Sequence, residues 1–281
     1  MATFYNQATL SYGNVVRTSN VAEGEIISGI AISKIAITES YSSGSGINYL
    51  ITITNNGESD ITGITLSDDL GAYTDGVNTV IPLSYVVGSI LYYINGIPQT
   101  APSVTETNVL LIEGISVPAG GNAILIYEAL ANGYAPLSQG ATITNTVTGT
   151  GSCDTLTANA TVATRDEAQL SIAKAVSPAT VTCGGELEYT FIIQNTGNTA
   201  AVATDNVVIA DIFDPILNNI TVTLNGVALI EGTDYTYNTT TGEFSTIAGI
   251  VTVPAAIYNT DETGRVITAP GVTSLTISGT I

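Results

Sequence analysis

The sequence contains two copies of one pattern at an offset of 140 residues, and this repeat limits the folds that the chain can adopt. Four residue types mark equivalent places in the two copies: Lys34/Lys174, Tyr49/Tyr189, Asn55/Asn195 and Gly57/Gly197. A three-residue insertion in the second copy then aligns a short apolar run that ends in aspartate: Ile64/Val207, Leu66/Ile209 and Asp68/Asp211. A chain of 281 residues can build two domains of ordinary size, so we expect one domain per copy.

Both copies have the sequence pattern of β-strands. Nearly every segment alternates apolar and polar residues with period two, is rich in Thr, Val and Ile, and is bounded by Gly, Asn or Pro. No segment predicts a helix longer than one turn, and Asn95-Gly96 and Asn225-Gly226 predict tight hairpins. Roughly seven or eight strands in each copy predict a two-sheet immunoglobulin-like sandwich. The expected fold is therefore all-β, with two tandem immunoglobulin-like β-sandwich domains.

The first 22 residues match a segment in the middle of the chain at an offset of 139 residues. Three asparagine and threonine pairs carry the match: Asn6/Asn145, Thr18/Thr157 and Asn20/Asn159. Both segments predict two strands: 3–12 and 15–22 at the N-terminus, and 141–148 and 156–163 in the middle, where they end the first copy. The second copy stops at Ile281, level with Ala131, so we expect domain two to lack its last two strands.

A sandwich without its last two strands exposes an apolar groove and a sheet edge. We expect the N-terminal segment of one molecule to complete domain two of the next by β-strand addition, which builds a head-to-tail filament unless the rotation closes. The donor face at period two contains Phe4, Asn6, Ala8, Leu10 and Tyr12. Two alternatives stay open: the segment adds to the edge of domain one, or it completes domain two of its own chain.

These inferences divide the chain into three parts. Residues 1–24 are the expected N-terminal donor-strand segment. Residues 25–165 form immunoglobulin-like domain one, and residues 166–281 form the incomplete immunoglobulin-like domain two.

Composition restricts the partners of the chain. Acidic residues number 24 against five basic ones, and the net charge of −19 repels nucleic acid and anionic lipid, which we exclude as partners. Charged residues make up only 10% of the chain against roughly 25% in an average protein, which suits a molecule surrounded by copies of itself. Histidine is absent, and Asp68-Asp69 lacks the spaced ligand loop of a calcium site. We expect no enzyme activity, no cofactor and no metal site.

Targeting signals are also missing from the sequence. No run of roughly 18 apolar residues predicts a membrane span. The N-terminus lacks the basic and apolar regions of a signal peptide, so either an export signal was removed or none is used. We therefore expect no membrane insertion.

One stretch of the second copy resembles a known family. It reads SIAKAVSPATVTCGGELEYTFIIQNTGNT and is followed by NVVIADIFDP. The strand with Lys, the YTFxxxNTG strand and the VxIxD strand resemble the immunoglobulin-like repeat of bacterial surface proteins called domain of unknown function eleven. Copy one departs from this motif and reads YLITITNNG and ITLSD. The resemblance implies a structural role on a bacterial surface or outside the cell.

The two lysines of the chain occupy the same position of the repeat, and both share a strand face with apolar residues. We expect Lys34 and Lys174 to point inward, where burial lowers the pKa of an amine towards the nucleophilic form. Asn145 lies on the inward face of its strand, as Asn6 does on the donor face.

Lysine on the first strand, asparagine on the last and a carboxyl between them resemble the autocatalytic isopeptide site of Gram-positive pilin and adhesin domains. The resemblance implies a bond from Lys34 to Asn145 with Asp68 as proton shuttle. At the contact between two subunits, which we call the joint, it implies a bond from Lys174 to the asparagine at position 6 of the next subunit, with Asp211 as shuttle. The alternative is a buried ion pair with the asparagine hydrogen-bonded nearby.

The two cysteines are expected in turns at opposite ends of the domains. Cys153 lies between the last two strands of domain one, and Cys183 follows the first strand of domain two. Along a filament, Cys183 of one subunit would face Cys153 of the next, which predicts an intersubunit disulfide. Free thiols in exposed turns are the alternative.

The sequence thus predicts a structural subunit of a bacterial extracellular or spore-surface filament, with copies of itself as partners. The missing signal peptide favours a spore appendage over the vegetative cell surface. The alternative is a surface adhesin or binding module that holds a protein or glycan with loops such as residues 71–85.

Overall fold

The structure is a computed structural model that describes residues 2–26, 29–150 and 155–281. It divides into two compact units. The first unit contains Met1–Ala135 and Ile143–Val162, and the second unit contains Pro136–Thr142 and Ala163–Ile281.

The chain begins with one long hairpin over residues 2–26, the N-terminal hairpin. Its strands are β1 (Ala2–Asn6), β2 (Thr9–Tyr12), β3 (Val15–Thr18) and β4 (Ala22–Ile26). β1 pairs with β4 and β2 pairs with β3, both antiparallel, around a turn in which Gly13 has a φ of 55°. Phe4 lies opposite Gly24, where an added Cβ would come within 2.4 Å of the phenyl ring. The glycine therefore lets the aromatic ring lie flat across the hairpin.

Two strands were expected here, over 3–12 and 15–22. The structure interrupts both where Ser19 bonds the opposite side of the hairpin. The Ser19 hydroxyl accepts from the Ala8 N–H at 3.0 Å, and the Gln7 side chain donates to the Ser19 carbonyl at 2.8 Å. Between the two strand pairs, residues 19–21 lie opposite residues 7–8. The strand with three residues has one more than its partner, so the register shifts by one between β2–β3 and β1–β4.

The first unit is a sandwich of two six-stranded sheets. One sheet has the order β13-β12-β16-β7-β5, with β11 also paired to β16, and the other has the order β14-β15-β8-β17-β18-β6. A small separate hairpin, β9–β10, lies between β8 and β11 in the chain. The strands are β5 (Ile30–Ala36), β6 (Ser40–Tyr41), β7 (Gly46–Asn55), β8 (Ile61–Asp68), β9 (Tyr73–Asp75), β10 (Asn78–Val80), β11 (Leu83–Tyr85), β12 (Leu91–Ile94), β13 (Ile97–Gln99), β14 (Ser103–Glu106), β15 (Leu110–Val117), β16 (Asn122–Ala131), β17 (Thr142–Thr150) and β18 (Leu156–Thr164).

The second unit contains a five-stranded sheet with the order β19-β20-β28-β22-β23 and a three-stranded sheet with the order β21-β25-β24. Its core includes Leu187, Phe191, Leu217, Phe244 and Leu275, all buried. The strands are β19 (Leu170–Ser177), β20 (Glu186–Asn195), β21 (Ala210–Ile212), β22 (Asn218–Leu224), β23 (Val227–Ala228), β24 (Tyr235–Tyr237), β25 (Glu243–Thr246), β26 (Ile257–Thr260), β27 (Val266–Ala269) and β28 (Gly271–Thr280). A single 3-10 turn spans Ala203–Asp205.

The all-β prediction of two tandem immunoglobulin-like sandwiches is confirmed. Across the repeat, β5, β7, β8 and β16 correspond to β19, β20, β21 and β28. Within the described ranges, no strand of the second unit stands in the place that β17 and β18 occupy in the first. No helix in the part of the chain that the structure describes is long and apolar enough to cross a membrane.

The repeated asparagine has the same structural role in both units. The Asn195 Oδ1 accepts from the N–H groups of Gln169 and Gly197, both at 2.9 Å. Its Nδ2 donates to the carbonyls of Thr199 and Pro254, at 2.8 and 3.0 Å. Asn55 binds its own turn through Gly57 in the same way. One buried side chain thus satisfies several loop groups in place of water.

Three segments of the second unit differ from expectation. Strand β25 was not predicted. Residues 250–253 (Ile-Val-Thr-Val) predict a strand, but they form a loop that makes only an isolated bridge, between Val253 and Ala201. The hairpin β26–β27 was not expected, because it lies in the stretch between Pro254 and β28 where copy one has a short connection.

Candidate functional site

Lys34 is buried in the first unit and paired with Asp68. Its Nζ lies 2.6 Å from the Asp68 Oδ2, and both side chains are 0% exposed. The amine also lies 4.8 Å from the ring centre of Tyr49 and 5.8 Å from that of Tyr127. Burial lowers the pKa of Lys34, against the opposing effect of the Asp68 carboxylate. The site therefore favours the neutral, nucleophilic amine more than water does.

Asn145 joins this pair through Tyr127. The Tyr127 hydroxyl donates to the Asp68 Oδ2 at 2.7 Å and accepts from the Asn145 Nδ2 at 2.9 Å. The second carboxylate oxygen of Asp68 accepts from the Leu70 N–H at 3.1 Å. The structure thus brings Lys34, Asp68 and Asn145 into one buried network, which we call the first-unit network together with Tyr127.

Tyr127 was not among the residues singled out from the sequence. It alternates with Leu125 and Ala129 on the inward face of β16, a pattern that predicts only core packing. The one sequence feature that distinguishes Tyr127 is a difference between the copies, because copy two has Ile277 at the equivalent position.

Two buried oxygens beside this network have no hydrogen-bond partner among the described residues. They are the Asn145 Oδ1 and the Tyr49 hydroxyl. Tyr49 stacks on Tyr127 with ring centres 5.5 Å apart. Buried polar atoms are nearly always hydrogen-bonded, so an amide that is held by its nitrogen alone is unusual.

Lys174 and Asp211 also form an ion pair, but solvent reaches it. The Lys174 Nζ contacts the Asp211 Oδ2, with side chains 40% and 20% exposed. The amine lies 4.5 Å from the ring centre of Tyr189, as Lys34 lies near Tyr49. The expectation that Lys174 is buried is wrong for the single chain, because the face on which it lies is uncovered.

The uncovered face lies along β19 and the free edge of β21. Every residue of β19 is exposed, including the apolar residues on the lysine face, whereas β5 is largely buried on that face. β8 pairs with both β15 and β17, but β21 pairs with β25 alone in the described part of the chain. We call the following set the open face: Leu170, Ile172, Lys174, Val176 and Asp211.

The donor residues lie in the N-terminal hairpin and are exposed. Phe4, Asn6, Ala8, Leu10 and Tyr12 are all accessible, Leu10 to 63%. Asn6 pairs with Ala22 across the hairpin. Within residues 2–26, 29–150 and 155–281, the strands of the hairpin pair only with one another. Neither of the pairings within one chain that the sequence left open is present there.

The remaining predicted positions are the two cysteines and the loop over 71–85. Cys183 is an exposed free thiol between β19 and β20, and Cys153 lies outside the described residues. The loop over 71–85 contains the β9–β10 hairpin, with Val77 98% exposed at its tip. The Tyr73 hydroxyl anchors this hairpin by donating to the Tyr134 carbonyl at 2.8 Å.

Comparison with known proteins finds similarity only among solved structures. No family model matches the chain and no curated protein matches it, so the resemblance to domain of unknown function eleven stays a prediction. The major pilin subunit BcpA of Bacillus cereus is 12% identical, with 96% of this chain and 73% of that chain covered and a TM-score of 0.35. The pilus backbone protein RrgB of Streptococcus pneumoniae is 11% identical, with coverage of 86% and 55% and a TM-score of 0.35. The collagen-binding subdomain of the Enterococcus faecalis surface protein ACE is 10% identical, with coverage of 50% and 99% and a TM-score of 0.33.

The two ion pairs predict different responses to the same substitution. In an Asn145→Ala background, which cannot form the bond proposed below, Asp68→Asn leaves the Lys34 ammonium buried without a counter-charge and should lower the free energy of unfolding of the first unit by about 3–5 kcal/mol. Asp211→Asn, the matched control in the second unit, should cost no more than about 1 kcal/mol because water solvates that pair. Urea unfolding followed by hydrogen exchange of peptides from each unit measures both. Equal losses in the two units would contradict the assignment of burial.

Proposed function

We propose that the chain is a structural subunit of a bacterial extracellular or spore-surface filament. The N-terminal hairpin of one subunit completes the open face of the next, head to tail. One observation carries this proposal: the same chain has a hairpin that pairs with no other strand and a sandwich face without its last strands, both within the described residues. Such a heterologous contact extends indefinitely unless the rotation closes.

The alignment at offset 139 gives the proposed register of the joint. β17 places Ile143, Asn145 and Val147 inward beside Lys34, and the hairpin carries Phe4, Asn6 and Ala8 at the same places. Val147 pairs with Asp68 in the first unit, so Ala8 would lie opposite Asp211 of the acceptor. This register brings Asn6 towards Lys174.

Burial of apolar side chains supplies the driving force of the proposed joint. Leu170, Ile172 and Val176 are exposed on the open face, Ile172 to 58%, and Phe4, Leu10 and Tyr12 are exposed on the hairpin. Each such side chain contributes about 1.5–3 kcal/mol when fully buried. Pairing along β21 would also satisfy the backbone groups of its free edge, which fixes the register.

Assembly should depend on one face of the hairpin. Full-length protein should form filaments in negative-stain electron microscopy, and protein that lacks residues 2–22 should elute as a monomer in size-exclusion chromatography. Leu10→Asp should prevent assembly because it places a charge in the apolar groove. Ser11→Asp, the control on the opposite face, should leave filaments intact. Filaments from the deleted protein would refute strand donation, and a full-length monomer that binds a glycan or protein would favour the binding-module hypothesis.

We further propose that isopeptide bonds reinforce the filament. One bond joins Lys34 to Asn145 with Asp68 as proton shuttle, and the other joins Lys174 to the asparagine at position 6 of the next subunit with Asp211. The buried amine of lowered pKa beside a carboxyl and a carboxamide supports the first bond. A purely ionic network satisfies most of the same groups without a covalent bond, and mass separates the two.

Intact mass spectrometry checks the covalent bonds. Each bond should lower the mass by one ammonia, and filaments boiled in detergent with a thiol reductant should give a ladder. Asn6→Ala should abolish the ladder but not the filaments, because the strand still docks. Asn20→Ala, which removes an asparagine elsewhere in the hairpin, should leave the ladder unchanged. Full mass for the wild-type chain would leave only the ionic network.

We propose an intersubunit disulfide from Cys183 to Cys153 as a second reinforcement. The exposure of the Cys183 thiol supports it. Non-reducing gels of filaments should show reducible multimers, and Cys183→Ser should remove them. The absence of reducible multimers from wild-type filaments would contradict this bond.

A further inference from the structure

The carboxyl assigned as proton shuttle has no direct hydrogen bond to the asparagine that would react. Asp68 and Asn145 are connected by the Tyr127 hydroxyl, 2.7 Å from the Asp68 Oδ2 and 2.9 Å from the Asn145 Nδ2. The Nδ2 is the atom that must leave as ammonia when an amine displaces it. The hydroxyl therefore lies between the proton store and the leaving group.

We propose that Tyr127 is a catalytic residue of the Lys34–Asn145 crosslinking reaction and carries a proton from Asp68 to the departing nitrogen of Asn145. This inference rests on the proposed isopeptide bond of the first unit. It adds a residue and a step that the lysine, aspartate and asparagine do not provide by themselves.

With this relay, every proton that is released in the reaction has an acceptor. Asp68 takes one proton from the Lys34 ammonium, and the neutral Nζ attacks the Asn145 Cγ to form the new C–N bond. The attack makes Cγ tetrahedral and gives Nδ2 a free lone pair, so both hydrogen bonds of Tyr127 reverse: its hydroxyl now accepts from the protonated Asp68 and donates to Nδ2. As the bond from Cγ to Nδ2 breaks, Tyr127 gives its proton to Nδ2 and receives the proton held by Asp68. The Nζ then loses a second proton to Asp68. The products are the amide, one ammonia and a neutral Asp68 carboxyl.

The ionisation of Tyr127 fits a relay better than a proton reservoir. Burial, reinforced by the negative charge of Asp68, raises the pKa of Tyr127 well above its ordinary value. The hydroxyl stays protonated and can give one proton only as it accepts another.

The second unit lacks this relay. Ile277 stands on β28 at the place of Tyr127, so no hydroxyl reaches Asp211 from that strand. Asp211 would have to protonate the leaving nitrogen of the joint asparagine itself. We therefore expect the bond at Lys174 to form more slowly than the bond at Lys34.

Tyr127→Phe in the full-length chain tests the relay, because it keeps the ring stacked on Tyr49 and removes only the hydroxyl. The intact mass is followed with time after cell-free synthesis, and peptide mapping assigns the Lys34–Asn145 bond. Loss of a general acid should slow this bond at least about 100-fold. Tyr92→Phe is the matched control, since that buried hydroxyl bonds Ser116 in the same unit, and it should react at the wild-type rate.

A second variant separates catalysis from folding. Site-specific 3-fluorotyrosine at position 127 keeps the size and the hydrogen bonds of the side chain but makes its hydroxyl more acidic. A relay predicts a changed rate of ammonia loss, because the hydroxyl both gives and accepts a proton in that step, and a purely structural tyrosine predicts no change. A wild-type rate in either position-127 variant would overturn the relay alone. A wild-type chain that never loses ammonia would overturn the crosslink and the relay together.

Discussion

The structure depends on how the inward face of the first strand of each sandwich is covered. In the first unit, β17 pairs with β8 and places Ile143, Asn145 and Val147 inward, all buried. In the second unit, β19 has the same kind of inward face, yet all of its residues are exposed. The lysine, the aspartate and an aromatic ring recur at equivalent positions in the two units. The difference in exposure therefore comes from the strand that covers this face in the first unit and is not present in the described part of the second.

Burial by a covering strand also determines the chemistry of the lysine. Lys34 has lost its hydration and is held by Asp68, so desolvation lowers its pKa. Lys174 keeps part of its water and forms an ordinary, partly exposed ion pair. A strand that docked on the open face would remove this water and deliver the asparagine in the same event. In the proposed filament, the joint amine would therefore become reactive only after the correct strand had docked.

Much of the fold could be predicted from period two and the repeat, because the order of residues alone shows both. The pattern located β5, β7, β16, β19 and β20. The repeat selected Lys34 and Asp68, the match with the N-terminal segment selected Asn145, and the structure brings these three residues into one network. Tyr127 was missed because an inward tyrosine on an alternating strand has the same pattern as a packing residue. The exposure of Lys174 was missed because it depends on a distant strand. The β26–β27 hairpin has no counterpart in copy one, so the repeat could not indicate it.

Strand donation also requires that the hairpin should not displace the last strands of the first unit. Gly149 of β17 faces inward, and an added Cβ there would lie 3.2 Å from Leu66 and 3.9 Å from Ile32. The hairpin carries Leu10 at this place, so its side chain would overpack the first unit. At the open face, the equivalent of Ile32 is Ile172, which is 58% exposed. β17 and β18 also belong to the same chain as their sandwich, and this raises their effective concentration above that of any hairpin from solution. The overpacking of Leu10 at the position of Gly149 would thus disfavour docking of the hairpin on the first unit.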